Sequence, residues 1–338
     1  MKAMVLKEYN QPLVYCEDYP DPVIREENDV IIKITACGLC TTDLKVQHGV
    51  LETGGLPRIL GHEPAGVVTA VGSRVTNVKV GDRVISSTYM ACRTCENCRR
   101  GRDTLCENLS GRLGITVDGG FAEYMLAKAQ CLVKIPDDVD EAQACIVPCG
   151  GGVAYHAMVK RFQVGPEDRV LILGVGGLGI QAIEMCAICG AETIALDIDD
   201  DKLAAAKAAG ATYAINTRNP RYLELLWDLG GGTVLFDTTG AAKALRDCVS
   251  VLKKGARILL VAYGPGREVH LDMADVVLNE FEILGSRGVG IQDVAEIMSL
   301  IERKKYAPIV QRYPLSEINE VIDKLNSNKL IGRAVLVP

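Results

Sequence analysis

The sequence predicts an α/β chain in two parts, a barrel-like β region followed by a parallel sheet covered by helices on both faces. Three observations carry this. Residues 1–150 read as short strands joined by turns that contain Gly and Pro, with little helical periodicity. From about residue 151, apolar strand-like runs alternate with helical segments. Early in that second part, Gly174-Val175-Gly176-Gly177-Leu178-Gly179 follows a strand and opens a helix.

Taken in order, the clearest strands of the first part are residues 30–34, 65–71 and 80–85, and the polar run 92–108 reads as a loop excursion. The second part offers a strand at 169–173, a helix ending near Gly190, a strand at 193–197 and an alanine-rich helix at 202–209. Strands at 213–215, 233–237, 256–262 and 282–285 complete the alternation. Two amphipathic helices follow. Val294, Ile297, Met298 and Ile301 share one face, and Ile318, Val321, Ile322 and Leu325 share another. A last strand, 333–337, returns to the first part. The expected domains are therefore 1–150 completed by 287–338, and 151–286.

Composition excludes several classes. The 338 residues suffice for two domains and a large core, and 48% hydrophobic with 24% charged residues is ordinary for a soluble globular protein. A net charge of −6 gives no basic footprint for nucleic acid or an anionic membrane. No apolar run reaches the ~18 residues of a membrane span, and the N-terminus lacks a signal-peptide pattern, so a cytoplasmic location is expected. Four of the thirteen cysteines, Cys92, Cys95, Cys98 and Cys106, fall within fifteen residues. Clustering of that kind in a large chain points to metal rather than to a disulfide scaffold.

Three motifs carry chemistry. In the glycine turn, Gly174 makes the bend, Gly176 lets the backbone approach a pyrophosphate, and Gly179 permits close helix–strand packing. Asp197 ends the next strand, where a carboxylate binds ribose hydroxyls. Asp199, Asp200 and Asp201 beside it would repel a 2′-phosphate, so NAD is favoured over NADP. The Cys92/Cys95/Cys98/Cys106 run places four thiolates around one closed tetrahedral position, the pattern of a structural Zn²⁺. The third constellation is dispersed: Cys40, His62, Glu63 and Cys149. Spacing alone leaves these open between a metal site and packed core residues, just as Cys37-x-x-Cys40 could be half a zinc site, a redox pair or two buried thiols.

Together, residues 37–43 (Cys-Gly-Leu-Cys-Thr-Thr-Asp), residues 61–67 (Gly-His-Glu-Pro-Ala-Gly-Val), the four-cysteine run, Gly119-Gly120-Phe121-Ala122-Glu123-Tyr124, Cys149 and the Gly174–Gly179 turn resemble the zinc-dependent alcohol dehydrogenases of the medium-chain dehydrogenase/reductase family. The resemblance covers essentially the whole chain. It implies a GroES-like β-barrel catalytic domain with a structural zinc lobe, and a Rossmann-type coenzyme domain.

The resemblance also implies two Zn²⁺ per chain. The catalytic zinc falls to Cys40, His62 and Cys149, with Glu63 as an exchangeable fourth ligand and Cys37 not a ligand. Asp43 supports a ligand imidazole, Thr42 begins a proton relay, and Lys45 stands where a histidine often ends it. Gly174, Gly176, Gly177, Leu178, Gly179, Asp197, Lys202 and Arg333 form the coenzyme set. The partners implied are an alcohol or its carbonyl product and further copies of the chain in a dimer or tetramer. Two departures stand out: Lys45 itself, and Val153 after the glycine run Gly150-Gly151-Gly152, where many relatives carry threonine. The competing readings are a reductase of activated double bonds on the same fold and a zinc- and nucleotide-binding protein without turnover. The Cys40/His62/Cys149 set argues against the first, and Thr42 with Glu63 against the second.

Overall fold

The computed structural model describes all 338 residues. The chain divides into two compact units, Met1–Gly152 with Gly288–Pro338, and Val153–Arg287.

The first unit is built on two sheets. Strands β1 (Ala3–Leu6), β2 (Val14–Cys16) and β4 (Arg58–Ile59) form the smaller one, in order β2-β1-β4. The larger runs β15-β16-β3-β5-β6-β8, with β7 also paired to β3. These strands are β3 (Asp29–Gly38), β5 (Glu63–Val71), β6 (Arg83–Ser86), β7 (Tyr124–Lys128), β8 (Leu132–Lys134), β15 (Val310–Pro314) and β16 (Arg333–Val337). In β3, Val30, Ile32 and Ile34 point into a core shared with Val68, Val84, Phe121, Met125 and Leu336, the period-2 burial of a half-covered strand. The 333–337 strand thus does return to this unit, antiparallel to β3.

Sequence pattern misplaced some boundaries. Residues 80–82 belong to a turn, because Gly81 takes φ +91° and the Asp82 carboxylate accepts from Lys79 N at 2.9 Å, so β6 starts at Arg83. The unit is also less purely β than its pattern suggests. Helices Thr41–Gln47 and Glu141–Cys145 are too short to show periodicity, and the 92–108 run holds two helical turns, Glu96–Arg99 and the 3-10 turn Asp103–Leu105. Residues Val147–Gly151 form a π-helical turn around Cys149.

The second unit carries six parallel strands in order β11-β10-β9-β12-β13-β14, namely β9 (Arg169–Leu173), β10 (Glu192–Asp197), β11 (Tyr213–Asn216), β12 (Gly232–Asp237), β13 (Leu252–Leu260) and β14 (Glu282–Gly285). Leu171, Ile194, Leu235 and Ile258 are wholly buried under helices that include Ala242–Val249, as a sheet covered on both faces requires. Strand order reverses between β9 and β12. In such sheets the crevice at the carboxyl ends of those two strands is where ligands bind.

Candidate metal and coenzyme sites

The register of the large sheet assembles the dispersed residues. Opposite Cys37 and Gly38, at the end of β3, stand Pro64 and Glu63 on one side and Leu336 and Val335 on the other. Chain leaving β3 reaches Cys40, which starts the Thr41–Gln47 helix, while chain entering β5 supplies His62 and Glu63. Gly38 has to be glycine, because a Cβ there would lie 2.1 Å from Glu63 Oε2.

Asp43 ties these pieces together. Its buried carboxylate accepts from Cys40 N at 2.9 Å, closing the first turn of the helix as a capping box does. The other oxygen accepts from Gly61 N at 3.2 Å and pairs with His62 Nδ1 at 3.0 Å. With Nδ1–H donating to Asp43, the His62 tautomer leaves Nε2 free as a metal donor. Burial opposes a charge on His62, but the Asp43 carboxylate outweighs it and raises the imidazole well above its usual range.

Ligand atoms of Cys40, His62, Glu63 and Cys149 all lie within 4.8 Å of one another. Cys40 Sγ and Cys149 Sγ are 3.8 Å apart. Two sulfurs at the usual Zn–S length of about 2.3 Å, set at the tetrahedral angle, stand about 3.8 Å apart, so the pair fits zinc. Their electrostatics agree. The hydrogen bond with Cys149 pulls the Cys40 thiol well below its ordinary range, and the same contact pushes Cys149 well above. Two adjacent thiolates need a dication between them to ionise together. Burial lifts Glu63 to about 7 against the pull of Arg333.

Cys37 is not in this set. Its sulfur packs where Cβ atoms on Gly61 or Gly120 would lie, 2.9 Å from either, and burial raises its thiol well above the usual range. All thirteen cysteines are free, so the CxxC is not a disulfide. Thr42 and Lys45 lie half-buried on the Thr41–Gln47 helix. Arg333 is 7% exposed, and its Nη2 pairs with Glu63 Oε1 and stands 4.0 Å from Cys149 Sγ. The sequence reading gave this arginine to the coenzyme and did not foresee its place in the donor cluster. The strands that carry residues 63 and 333 are joined in the sheet only through β3, a connection no local pattern reveals.

In the lobe, the four sulfurs approach as a tetrahedron demands: Cys92–Cys106 at 3.5 Å, Cys95–Cys106 at 3.9 Å and Cys92–Cys98 at 4.0 Å. Thr94 N, Thr94 Oγ1 and Cys95 N all aim at Cys92 Sγ, and hydrogen bonding from Thr94 foremost lowers that thiol to about 5. Donors of this kind stabilise a thiolate ligand. Asp103 pairs with Arg93 and accepts from Ile291 N at 3.0 Å, which moors the lobe to the start of the Ile291–Glu302 helix.

The glycine turn of the second unit meets each demand of a dinucleotide cradle. Gly174 takes φ +91°, and a Cβ there would strike the Thr238 and Thr239 side chains. A Cβ on Gly179 would lie 1.9 Å from Gly174 O, whereas one on Gly176 would meet nothing within 4 Å. The open side therefore faces outward at the N-terminus of the Gly179–Ile188 helix, beside half-buried Gly177 and Leu178. Asp197 holds the turn, accepting from Val175 N at 2.7 Å and from Ile198 N and Asp199 N. Lys202 is buried five residues on, in the Asp200–Ala208 helix that Asp199 caps. Sequence reasoning missed Thr238, whose hydroxyl bonds Leu173 O and Gly174 O at 3.0 and 3.1 Å. The available signal was the Asp237-Thr238-Thr239-Gly240 turn at the end of the strand beside the reversal.

Soft metal donors with an imidazole held in one tautomer, in a chain that also carries a dinucleotide turn, are the equipment of a zinc-containing dehydrogenase. Comparison with known proteins agrees. The family model for the alcohol dehydrogenase GroES-like domain matches residues 26–137, and that for zinc-binding dehydrogenases matches residues 177–303. An alcohol dehydrogenase of Geobacillus stearothermophilus is 37% identical over 99% of this chain and 98% of its own. One from Moraxella sp. is 37% identical over 99% of both chains. The crystal structure of the alcohol dehydrogenase of Aeropyrum pernix superimposes with a TM-score of 0.92 at 32% identity, covering all of both chains. The chain belongs to the zinc-dependent alcohol dehydrogenases of the medium-chain dehydrogenase/reductase family. No helix is long and apolar enough to cross a membrane.

Proposed function

We propose that the chain interconverts an alcohol and its aldehyde or ketone with NAD, using one zinc held by Cys40, His62 and Cys149 and a second, structural zinc in the Cys92/Cys95/Cys98/Cys106 lobe. In this reading Met1–Gly152 with Gly288–Pro338 is the catalytic unit and Val153–Arg287 the coenzyme unit. The observation that carries it is the Cys40/His62/Cys149 set with Asp43 bonded to His62 Nδ1, because its fourth donor, Glu63, is shared with Arg333, whereas a closed structural site commits four ligands to the metal. When bound, zinc supplies Lewis-acid polarisation of the substrate oxygen and NAD the acceptor for its hydride.

The remaining work falls to side chains. Thr42, two residues past Cys40, receives the substrate hydroxyl proton. Lys45, one helical turn further, passes it outward when its amine is held neutral, and as an ammonium meets an anionic group on the ligand. Asp43 keeps the His62 tautomer fixed while this happens. In the second unit, Gly174, Gly176, Gly177, Leu178 and Gly179 receive the pyrophosphate, and Asp197 with Lys202 the adenosine ribose. The acidic run after Asp197 supports NAD over NADP. Assembly into a homo-oligomer through the coenzyme unit is supported by β14, an outer strand, together with exposed Met273, Val277, Leu278 and Ile283 beside it.

Metal analysis tests the reading. The intact protein is expected to carry two zinc ions per chain, and Cys40→Ala one, with alcohol oxidation lost and the fold retained. A single metal in the wild type, confined to the four-cysteine lobe, refutes it.

A further inference from the structure

Glu63 Oε1 is claimed from two directions. It stands 3.8 Å from His62 Nε2, among the donor atoms, and it is also the oxygen that accepts Arg333 Nη2. Its partner Oε2 is buried without a hydrogen bond, and the carboxylate is held by Arg333 and the neighbouring Cys149 thiol. A fork-shaped guanidinium buried beside a carboxylate and a thiol serves those groups first. Charge makes the same point. Two thiolates balance a dication, so an ionised Glu63 leaves one negative charge for which Arg333 is the neighbouring countercharge. Without the guanidinium, the metal itself is the nearest cation for that oxygen.

The neighbouring helix is shaped to admit the arginine. A Cβ on Gly150 would stand 3.1 Å from Arg333 Nε, and one on Gly151 2.6 Å from Tyr306 Oη. The π-helical turn Val147–Gly151 therefore carries glycine on its Arg333 side immediately after Cys149. This accounts for Gly150, while Gly151 makes room for Tyr306 and Gly152 for Val147 O and Val289.

We propose that Arg333 is a positioning residue that draws Glu63 Oε1 out of the metal's coordination and, seated against Gly150, keeps the Cys40/His62/Cys149 site open for the substrate oxygen. The proposal rests on the metal assignment above and goes beyond it. Cobalt(II) put in place of the catalytic metal is the probe, because its visible absorption reports ligand identity and number, and its release to EDTA reports retention. In the holoprotein, Arg333→Met is expected to shift the cobalt spectrum as the carboxylate enters, to slow release by about tenfold or more, and to lower kcat. Adding Glu63→Gln to that variant is expected to return spectrum and release to the wild-type values. Gly150→Ala, which keeps both charges and crowds the guanidinium at 3.1 Å from Nε, should move both readouts part of the way in the Arg333→Met direction, and it serves if Arg333→Met does not fold.

Unmoved spectra and release rates in the folded variants, with any loss confined to KM for NAD, overturn the proposal and leave Arg333 as a coenzyme contact alone. A wild type that takes up no cobalt at Cys40, His62 and Cys149 is a different result, because it removes the metal assignment and the Arg333 role together.

Discussion

Replacing Asp43 should separate the site from the scaffold. Its carboxylate takes three buried hydrogen bonds, from Cys40 N, Gly61 N and His62 Nδ1. An orphaned buried donor costs about 1–3 kcal/mol, and the three share one small region. Asp43→Ala is therefore expected to destabilise the protein by about 3–5 kcal/mol, a large part of the ~5–15 kcal/mol that holds a domain folded. Asp43→Asn keeps an oxygen for two of the three donors and should cost about 1–2 kcal/mol. The metal readout should follow the same order. Loss of the carboxylate behind a ligand histidine typically weakens binding by about 10- to 100-fold, so zinc at Cys40/His62/Cys149 should be lost first in Asp43→Ala and next in Asp43→Asn. The four-cysteine lobe shares none of these bonds and should keep its metal. Urea denaturation and chelator competition with a zinc-sensitive dye give both numbers. Equal loss of both metals in Asp43→Ala, or full retention of both, refutes the assignment of Asp43 to His62.

Other perturbations have directions set by single contacts. Burial raises Glu184 from 4.5 to about 8, and its Oε2 has no partner. A carboxyl raised on folding favours the folded state fully below pH 4.5 and loses that advantage as pH climbs through 8. At about 1.4 kcal/mol per pH unit, the loss is about 5 kcal/mol. Glu184→Gln should accordingly flatten the stability-versus-pH curve between pH 5 and 9, and parallel curves for variant and wild type in urea melts would count against it. Asp197→Ala removes the bond from Val175 N that ties it to the glycine turn, and should raise KM for NAD by about tenfold or more while eroding preference over NADP; an unchanged KM contradicts its assignment. Leu278→Lys, at an exposed position beside β14, should lower the mass measured by sedimentation while the circular-dichroism spectrum of the folded chain is kept. An unchanged mass moves the oligomer contact elsewhere.

Legibility followed locality. The Gly174–Gly179 turn and the four-cysteine lobe could be read because each performs its task within a short stretch of backbone, where residue type and spacing already state the geometry. Cys40, His62 and Cys149 come from three separate segments, so their juxtaposition is a property of sheet register, and family resemblance had to supply it. The Arg333–Glu63 pair and the Thr238 clamp on Gly174 were invisible for the same reason, since neither spacing repeats along the chain. The π-helical turn at Cys149 escaped on other grounds. A glycine run reads as a flexible loop until the side chains that fill the space beside it are known.

Strand β16 has a consequence for how the chain matures. It lies between β15 and β3 in the large sheet, and it carries Arg333 into the donor cluster. During synthesis, residues 153–287 leave the ribosome with all six strands of their parallel sheet and can close while translation continues. The first unit has no such option. β7 pairs β3 along Asp29–Lys33, but the Cys37–Gly38 end waits for a strand made about 300 residues later. The arginine therefore reaches Cys40, His62 and Cys149 only after all three have been made, and a ribosome stalled before Arg333 should hold a closed Val153–Arg287 unit while the sheet of the first unit still lacks β16.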